Sequence, residues 1–313
     1  MNWRGVFPAA TTQFRADGSL DLAATQRVLD ALVRDGVHGL VVLGTVGENY
    51  ALEPDEKLAL LAAAREAVAG RVPLLCGIAE AATAAAQRHA RAAERAGADG
   101  LMVLPSIAYG SQPAETLAHF RAVAAASALP VMLYNNPIGY RVDVTVGMCA
   151  ALADVATIVA IKESTTDTRR IVDLVNAGLH ARYALFCGVD DIVLECLLLG
   201  AVGWVAGLAN AFPRESLALY ELVRTGRHAE ALALYRWFMP LLHLDTVPTL
   251  VQCIKLAQQV VGRGSEAVRL PRLALAGPER ARVIGLVEAA LATRPDLTAL
   301  GARPAAHTDA AIP

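Results

Sequence analysis

One pattern recurs along this chain of 313 residues. A short apolar run is followed by an alanine-rich amphipathic run, then by a Gly or Pro break. Short apolar runs of this kind read as buried strands, and the longer runs with helical period read as helices. The strand-like runs lie at residues 6–14, 39–44, 72–78, 100–104, 130–134, 158–162, 184–188 and 203–207. The helical runs lie at 20–35, 54–69, 83–96, 114–126, 144–154, 168–180, 192–199 and 213–224. Continuously apolar strands alternating with helices imply a parallel sheet covered on both faces. Eight such units predict a closed (β/α)8 barrel, the TIM-barrel architecture of the α/β class. A doubly wound open sheet uses the same units, and strand count alone does not separate the two. Beyond Gly226 the helical period continues at 228–242, 247–261 and 278–293, with no strand between. The chain therefore reads as a catalytic barrel over 1–226 and a C-terminal helical extension over 227–300. The Ala/Pro-rich stretch 301–313 reads as a flexible tail.

Composition removes several classes of function. A chain that is 55% hydrophobic and 19% charged can bury one large core. A net charge of -2 offers no electrostatic footprint for nucleic acid or an anionic membrane. No apolar run reaches membrane-spanning length, and the first residues lack the apolar centre of a signal peptide. The five cysteines are scattered, odd in number and never in a CxxC pair, which fits reduced thiols and a cytoplasmic location. There is no HExxH, GxGxxG or GxxxxGK, so no metal and no nucleotide cofactor is expected. The seven histidines fall mostly in helices or loops, against a metal-dependent barrel hydrolase.

In a barrel of this type the chemistry sits at the C-terminal ends of the strands. Lys162 ends the sixth strand after the apolar run Ile158-Val159-Ala160-Ile161. Burial there disfavours the ammonium and leaves a neutral amine that can condense with a ketone. Tyr134 ends the fifth strand, where a phenol could relay protons near an imine. The second strand runs into Gly44-Thr45-Val46-Gly47-Glu48. Its glycines permit unusual dihedrals, and its N–H groups with the Thr45 hydroxyl could receive a carboxylate. Each feature also has a plain structural explanation: a strand end in water, a core aromatic, an ordinary βα turn. Glu163 and Asp167 read as solvated or helix-capping residues, with Asp167 a good N-cap.

Taken together, Gly44-Thr45-Val46-Gly47-Glu48, Tyr134-Asn135-Asn136-Pro137 and Ile161-Lys162-Glu163 resemble the dihydrodipicolinate synthase / N-acetylneuraminate lyase family of Schiff-base lyases. The resemblance runs from about Val6 through the last helices. It implies that Lys162 forms a Schiff base with the keto carbon of a 2-oxo acid and that Tyr134 relays protons. It implies that Thr45, with Gly44 and the backbone at Val46, holds the substrate carboxylate and steers the tyrosine hydroxyl. Gly188 and Val205 match positions lining the family's pocket. A homotetramer, a small-molecule partner and no cofactor beyond the covalent lysine imine are also implied.

The finer pattern departs from the synthase. Gly139 stands where the synthase carries an arginine for the substrate's distal carboxylate, although Arg141 is close. Ile107 stands where it lends a tyrosine across its dimer contact, and Tyr109 is offset by two. Gly188-Val189-Asp190-Asp191 and 207–215 look more like the catabolic branch. That favours 1-pyrroline-4-hydroxy-2-carboxylate deaminase, which acts in hydroxyproline degradation and gives 2-oxoglutarate semialdehyde and ammonia. The alternatives are 4-hydroxy-tetrahydrodipicolinate synthase, a pyruvate-dependent aldolase for sialic acid or 2-keto-3-deoxy sugar acids, and a non-catalytic 2-oxo acid binding protein. Retention of lysine, tyrosine and threonine together argues against mere binding.

Overall fold

The structure, a computed structural model, describes residues 3–106 and 108–300. The elements run β1 (Gly5–Pro8), α1 (Leu22–Arg34), β2 (Leu40–Val42), α2 (Pro54–Val68), β3 (Leu74–Ile78), α3 (Thr83–Arg95), β4 (Gly100–Val103) and α4 (Pro113–Ala124). They continue β5 (Val131–Asn135), α5 (Pro137–Tyr140), α6 (Val146–Ala151), β6 (Ile158–Glu163), α7 (Arg169–Asn176), β7 (Ala184–Cys187), α8 (Val193–Leu198), β8 (Gly203–Ala206) and α9 (Pro213–Arg224). All strand pairs are parallel, in the order β1-β8-β7-β6-β5-β4-β3-β2. The seam between β1 and β2 is joined by the His38 N–H donating to the Val6 carbonyl at 3.0 Å and the Ala10 N–H to Val41 at 2.8 Å. Strands on both sides of β1 exclude the open sheet. The fold is a TIM barrel.

Strand alternation divides the apolar residues into two layers. Phe7, Val41, Leu75, Met102, Met132, Ala160, Phe186 and Val205 share the barrel interior. Phe7 and Phe186 meet edge to face there, 5.3 Å between ring centres. Their sequence neighbours Val6, Val42, Leu133, Ile161 and Trp204 pack outward against the helices. The helices begin where capping chemistry allows. Asp21 accepts the Ala24 N–H ahead of α1, and Glu53 and Gln112 form capping boxes with Glu56 and Glu115 around Pro54 and Pro113.

Three helices follow the barrel: α10 (His228–Leu242), α11 (Leu250–Val260) and α12 (Gly277–Ala292). They pack on one another and on α9 through a shared apolar cluster. From α11, Ile254 reaches the interior cluster of the barrel. Lys255 beside it has a fully buried side chain and donates to Glu48 Oε1 and to the Thr12 carbonyl, both at 2.8 Å. Glu48 follows the Thr45–Gly47 turn with φ of 55°. The buried ion pair thus fastens the turn after β2 to the C-terminal helices.

Several boundaries differ from the sequence expectation. The first strand stops at Pro8 rather than continuing to residue 14. Beyond it Thr11, Thr12 and Gln13 are buried and bond sideways: Thr11 to Asn210 and Gln258, Thr12 to Gly47, Gln13 to Thr25 and Ser265. A run that looks like strand continuation is a loop tied to distant helices. The helix expected over 144–154 is shorter, α6, with the Thr145 hydroxyl accepting at its start. The stretch 301–313 lies outside the described residues.

Removing one partner from a buried ion pair leaves an uncompensated charge. Lys255→Met should therefore cost about 3 kcal/mol of unfolding free energy by chemical denaturation. A paired Lys255→Met/Glu48→Gln variant should recover part of that loss.

Candidate active site

The β5–β6 pairing builds the centre of the site. Tyr134 lies directly opposite Lys162 in the ladder, and Asn135 opposite Glu163. Alternation sends the first pair into the barrel mouth and the second pair outward. Lys162 is 6% exposed, and its Nζ lies 3.9 Å from the centre of the Tyr134 ring. Burial pulls its ammonium down to about 8, against the opposing pull of Asp245 and Asp190. The sequence holds three lysines, Lys57, Lys162 and Lys255. Lys57 pairs with Glu80 at 2.7 Å and Lys255 with Glu48 at 2.8 Å. Lys162 alone has no carboxylate within ion-pair distance among the described residues.

Tyr134 is buried, and burial raises its phenol. Its oxygen accepts from Asn136 Nδ2 at 3.1 Å. Thr45 and Val46 reach the same cavity from the turn after β2. The N–H groups of Thr45, Val46 and Gly47 have no acceptor among the described residues, which leaves a concave set of donors suited to an anion. Gly188 and Val205 complete the wall, whereas Gly44 stands behind the turn and off it. A Cβ at Gly188 would come within 2.0 Å of Ser164 Oγ and 2.7 Å of Lys162 Cε. Gly188 thus matters as room for the lysine rather than as a ligand. The cavity these residues enclose is about 420 Å³.

Three sequence expectations need correction. Glu163 is not solvated. It is buried, with its carboxylate accepting from Asn135 Nδ2 at 3.0 and 3.2 Å and from the Thr165 N–H at 2.7 Å. Its strand position points outward, but into the layer between barrel and helices. Thr45 does not bond to Tyr134. Its hydroxyl lies 2.5 Å from that of Tyr140, whose ring meets Tyr134 edge to face at 5.6 Å between centres. Tyr140 was missed because it sits in α5, six residues past Tyr134, with no local signal of contact with the turn after β2. The N-cap of α7 is Thr168 rather than Asp167; Asp167, one residue earlier, accepts the Arg169 N–H through Oδ1 at 3.0 Å.

Asp245, between α10 and α11, was also missed and lines the cavity. Arg141 and Tyr109 are exposed and off its wall, and Ile107 lies outside the described residues. Among the described residues no group of three or more His, Cys, Asp or Glu could hold a metal ion, and no helix is long and apolar enough to cross a membrane.

Residues 2–290 match the model of the dihydrodipicolinate synthetase family. The chain belongs to that family. It is similar to the 4-hydroxy-tetrahydrodipicolinate synthase of Moorella thermoacetica, 31% identical with 90% of this chain and 97% of the relative covered. It is 39% identical to that of Xanthomonas campestris over 74% and 76% of the two chains. Among solved structures, the synthase of Methylacidiphilum fumariolicum superposes with a TM-score of 0.88 at 29% identity, covering 96% of this chain and 99% of that one. YagE, an Escherichia coli prophage protein of the dihydrodipicolinic acid synthase family solved with pyruvate, gives 0.88 at 30% identity over 93% and 99%. Enzymes of this family work through a lysine Schiff base with pyruvate and need no added cofactor. The chain is thus a lyase-family enzyme of the Schiff-base kind.

Neutral amine is the reactive form, and its fraction rises with pH through the group's own pKa. Reaction of Lys162 with an amine-directed reagent should rise up to about pH 8 and then level off. An unperturbed lysine would go on gaining towards 10.5. The reaction rate followed by peptide mass spectrometry from pH 6 to 10 is the check.

Proposed function

We propose that this chain breaks or rearranges a 2-oxo acid or cyclic imino acid bound covalently to Lys162. The observation that carries this reading is the state of that lysine: buried, without a carboxylate partner, and facing a tyrosine at the barrel mouth. In the proposal the substrate carboxylate sits on the free N–H groups of the Thr45–Gly47 turn. That places C2 within reach of Nζ. Attack forms a C2–N bond, and the imine that follows withdraws electrons and acidifies C3. Tyr134, with Thr45 and Tyr140 linked beside it, carries protons to and from the bound substrate.

Two finer readings divide on the far end of the substrate. Among the described residues the cavity wall carries no arginine, and Lys162 is its only basic residue. That supports a substrate with a single carboxylate and favours the 1-pyrroline-4-hydroxy-2-carboxylate deaminase reading. There Lys162 displaces the ring nitrogen from C2, leaving an amine on C5. Loss of a C3 proton and of the C4 hydroxyl removes one water. Proton shifts from C5 to C3 and from the C5 nitrogen to C4 turn the C5 amine into an imine, and hydrolysis there and at the lysine imine adds two waters and releases ammonia and 2-oxoglutarate semialdehyde. The second reading, 4-hydroxy-tetrahydrodipicolinate synthase, has the support of the relatives' names. We further propose a cytoplasmic homotetramer, and a functional division near residue 226 between barrel and extension.

A turnover panel separates the readings: 1-pyrroline-4-hydroxy-2-carboxylate, pyruvate with aspartate semialdehyde, sialic acid, and 2-keto-3-deoxy sugar acids, each also with Lys162→Ala. We expect the pyrroline acid to be preferred and the variant to be inactive on every substrate. Preference for pyruvate with aspartate semialdehyde would make the chain a synthase. Full activity in Lys162→Ala would remove the covalent reading altogether.

A further inference from the structure

The two carboxyl groups closest to Lys162 in effect are differently placed. Asp190 is fully buried and its oxygens are taken: Oδ1 accepts from Trp204 Nε1 at 2.9 Å and the Gly207 N–H at 3.1 Å, Oδ2 from the Leu208 N–H at 2.7 Å. It ties the ends of β7 and β8 together. Asp245 is half-buried and lies on the cavity wall. Its Oδ2 accepts the Asp190 N–H at 3.3 Å, while Oδ1 has no hydrogen-bond partner among the described residues. The close approach of Asp245 to the end of β8 depends on Gly207, where a Cβ would lie 2.5 Å from Oδ1.

A second polar atom is left over nearby. Ser164 Oγ, on the same cavity, is buried and makes no hydrogen bond of ordinary geometry among the described residues, its polar influence falling on the Tyr134 hydroxyl. Buried polar groups normally have partners, and those that do not often mark where a ligand supplies one. Away from the Thr45–Gly47 turn, the described residues of the wall therefore present a free carboxyl oxygen and hydroxyls, with no guanidinium. That set accepts hydrogen bonds from hydroxyl or amine groups and offers no fork for a second carboxylate.

We propose that Asp245 determines substrate choice: its free oxygen takes a hydroxyl or amine that the substrate carries beyond the imine carbon. The C-terminal extension thereby contributes a substrate-binding residue to a barrel whose chemistry comes from β5 and β6. The proposal rests on Lys162 forming the imine. The rival role for Asp245 is to act on Lys162 alone, as a nearby negative charge.

The test uses the full chain with Asp245→Ala and the isosteric Asp245→Asn, which retains an acceptor for the Asp190 N–H. Two quantities are measured: the borohydride-trapped pyruvate adduct, and kcat/KM for 4-hydroxylated imino or 2-oxo acids beside their 4-deoxy analogues. Loss of a hydrogen bond from a site built for it lowers specificity about 10- to 100-fold. Asp245→Ala should lose about 10- to 100-fold more on the hydroxylated substrates than on the deoxy analogues or the pyruvate adduct, which report any change made through Lys162. Asp245→Asn should lose less. Equal loss on hydroxylated and deoxy substrates, or loss of the pyruvate adduct to the same extent, overturns the inference in favour of the charge role. So does wild-type protein that traps pyruvate but neither binds nor converts a hydroxylated substrate. Absence of trapping in the wild type sinks the lysine reading itself, and the inference with it.

Discussion

The pairing of β5 with β6 is the constraint on which the site depends. Parallel register sets Tyr134 opposite Lys162, and strand alternation turns both into the mouth of the barrel. The next pair, Asn135 and Glu163, faces the other way and locks the register by side-chain hydrogen bonds. Asn135 also donates to Asp143, which Arg170 holds in turn at 2.8 Å. Lys162 and Tyr134 thus stand on paired strand backbone, and the network that fixes them is kept out of the cavity. A one-residue slip of β6 would exchange Lys162 for Glu163 in the mouth.

Burial acts on the three lysines in different ways. Lys57 and Lys255 are buried beside carboxylates and serve to hold elements together. Lys162 is buried beside an aromatic face, with carboxyl groups near but not paired. Desolvation lowers the amine at Lys255 as well as at Lys162; what sets Lys162 apart is that its Nζ is not tied up in an ion pair and lies at the cavity. The C-terminal helices contribute at two points. Lys255 steadies the Thr45–Gly47 turn through Glu48, and Asp245 reaches the cavity wall.

Much of this architecture was legible in the sequence because it is local. Apolar runs of strand length, alanine-rich helical runs and Gly/Pro breaks gave the count of eight, and the rule of strand C-termini pointed to Lys162, Tyr134 and Thr45. What could not be read depends on closure of the chain in space. Residues 11–13 look like strand until their polar side chains find Asn210, Gln258 and Ser265. The hydroxyl beside Thr45 belongs to Tyr140, 95 positions away. Asp245 sits in the short mixed stretch 243–248 between two helices, and nothing local marks it as sharing a cavity with Lys162. Glu163 reads as solvated from its charge, although its strand position buries it.

In the proposed reaction Lys162 is the nucleophile. Because the chain has three lysines, the claim can be settled at residue level. The protein is incubated with saturating pyruvate, reduced with borohydride and mapped by peptide mass spectrometry. A stable adduct is expected on Lys162 and none on Lys57 or Lys255, whose side chains are held in ion pairs. An unmodified Lys162, or an adduct on either of the other two, would contradict it.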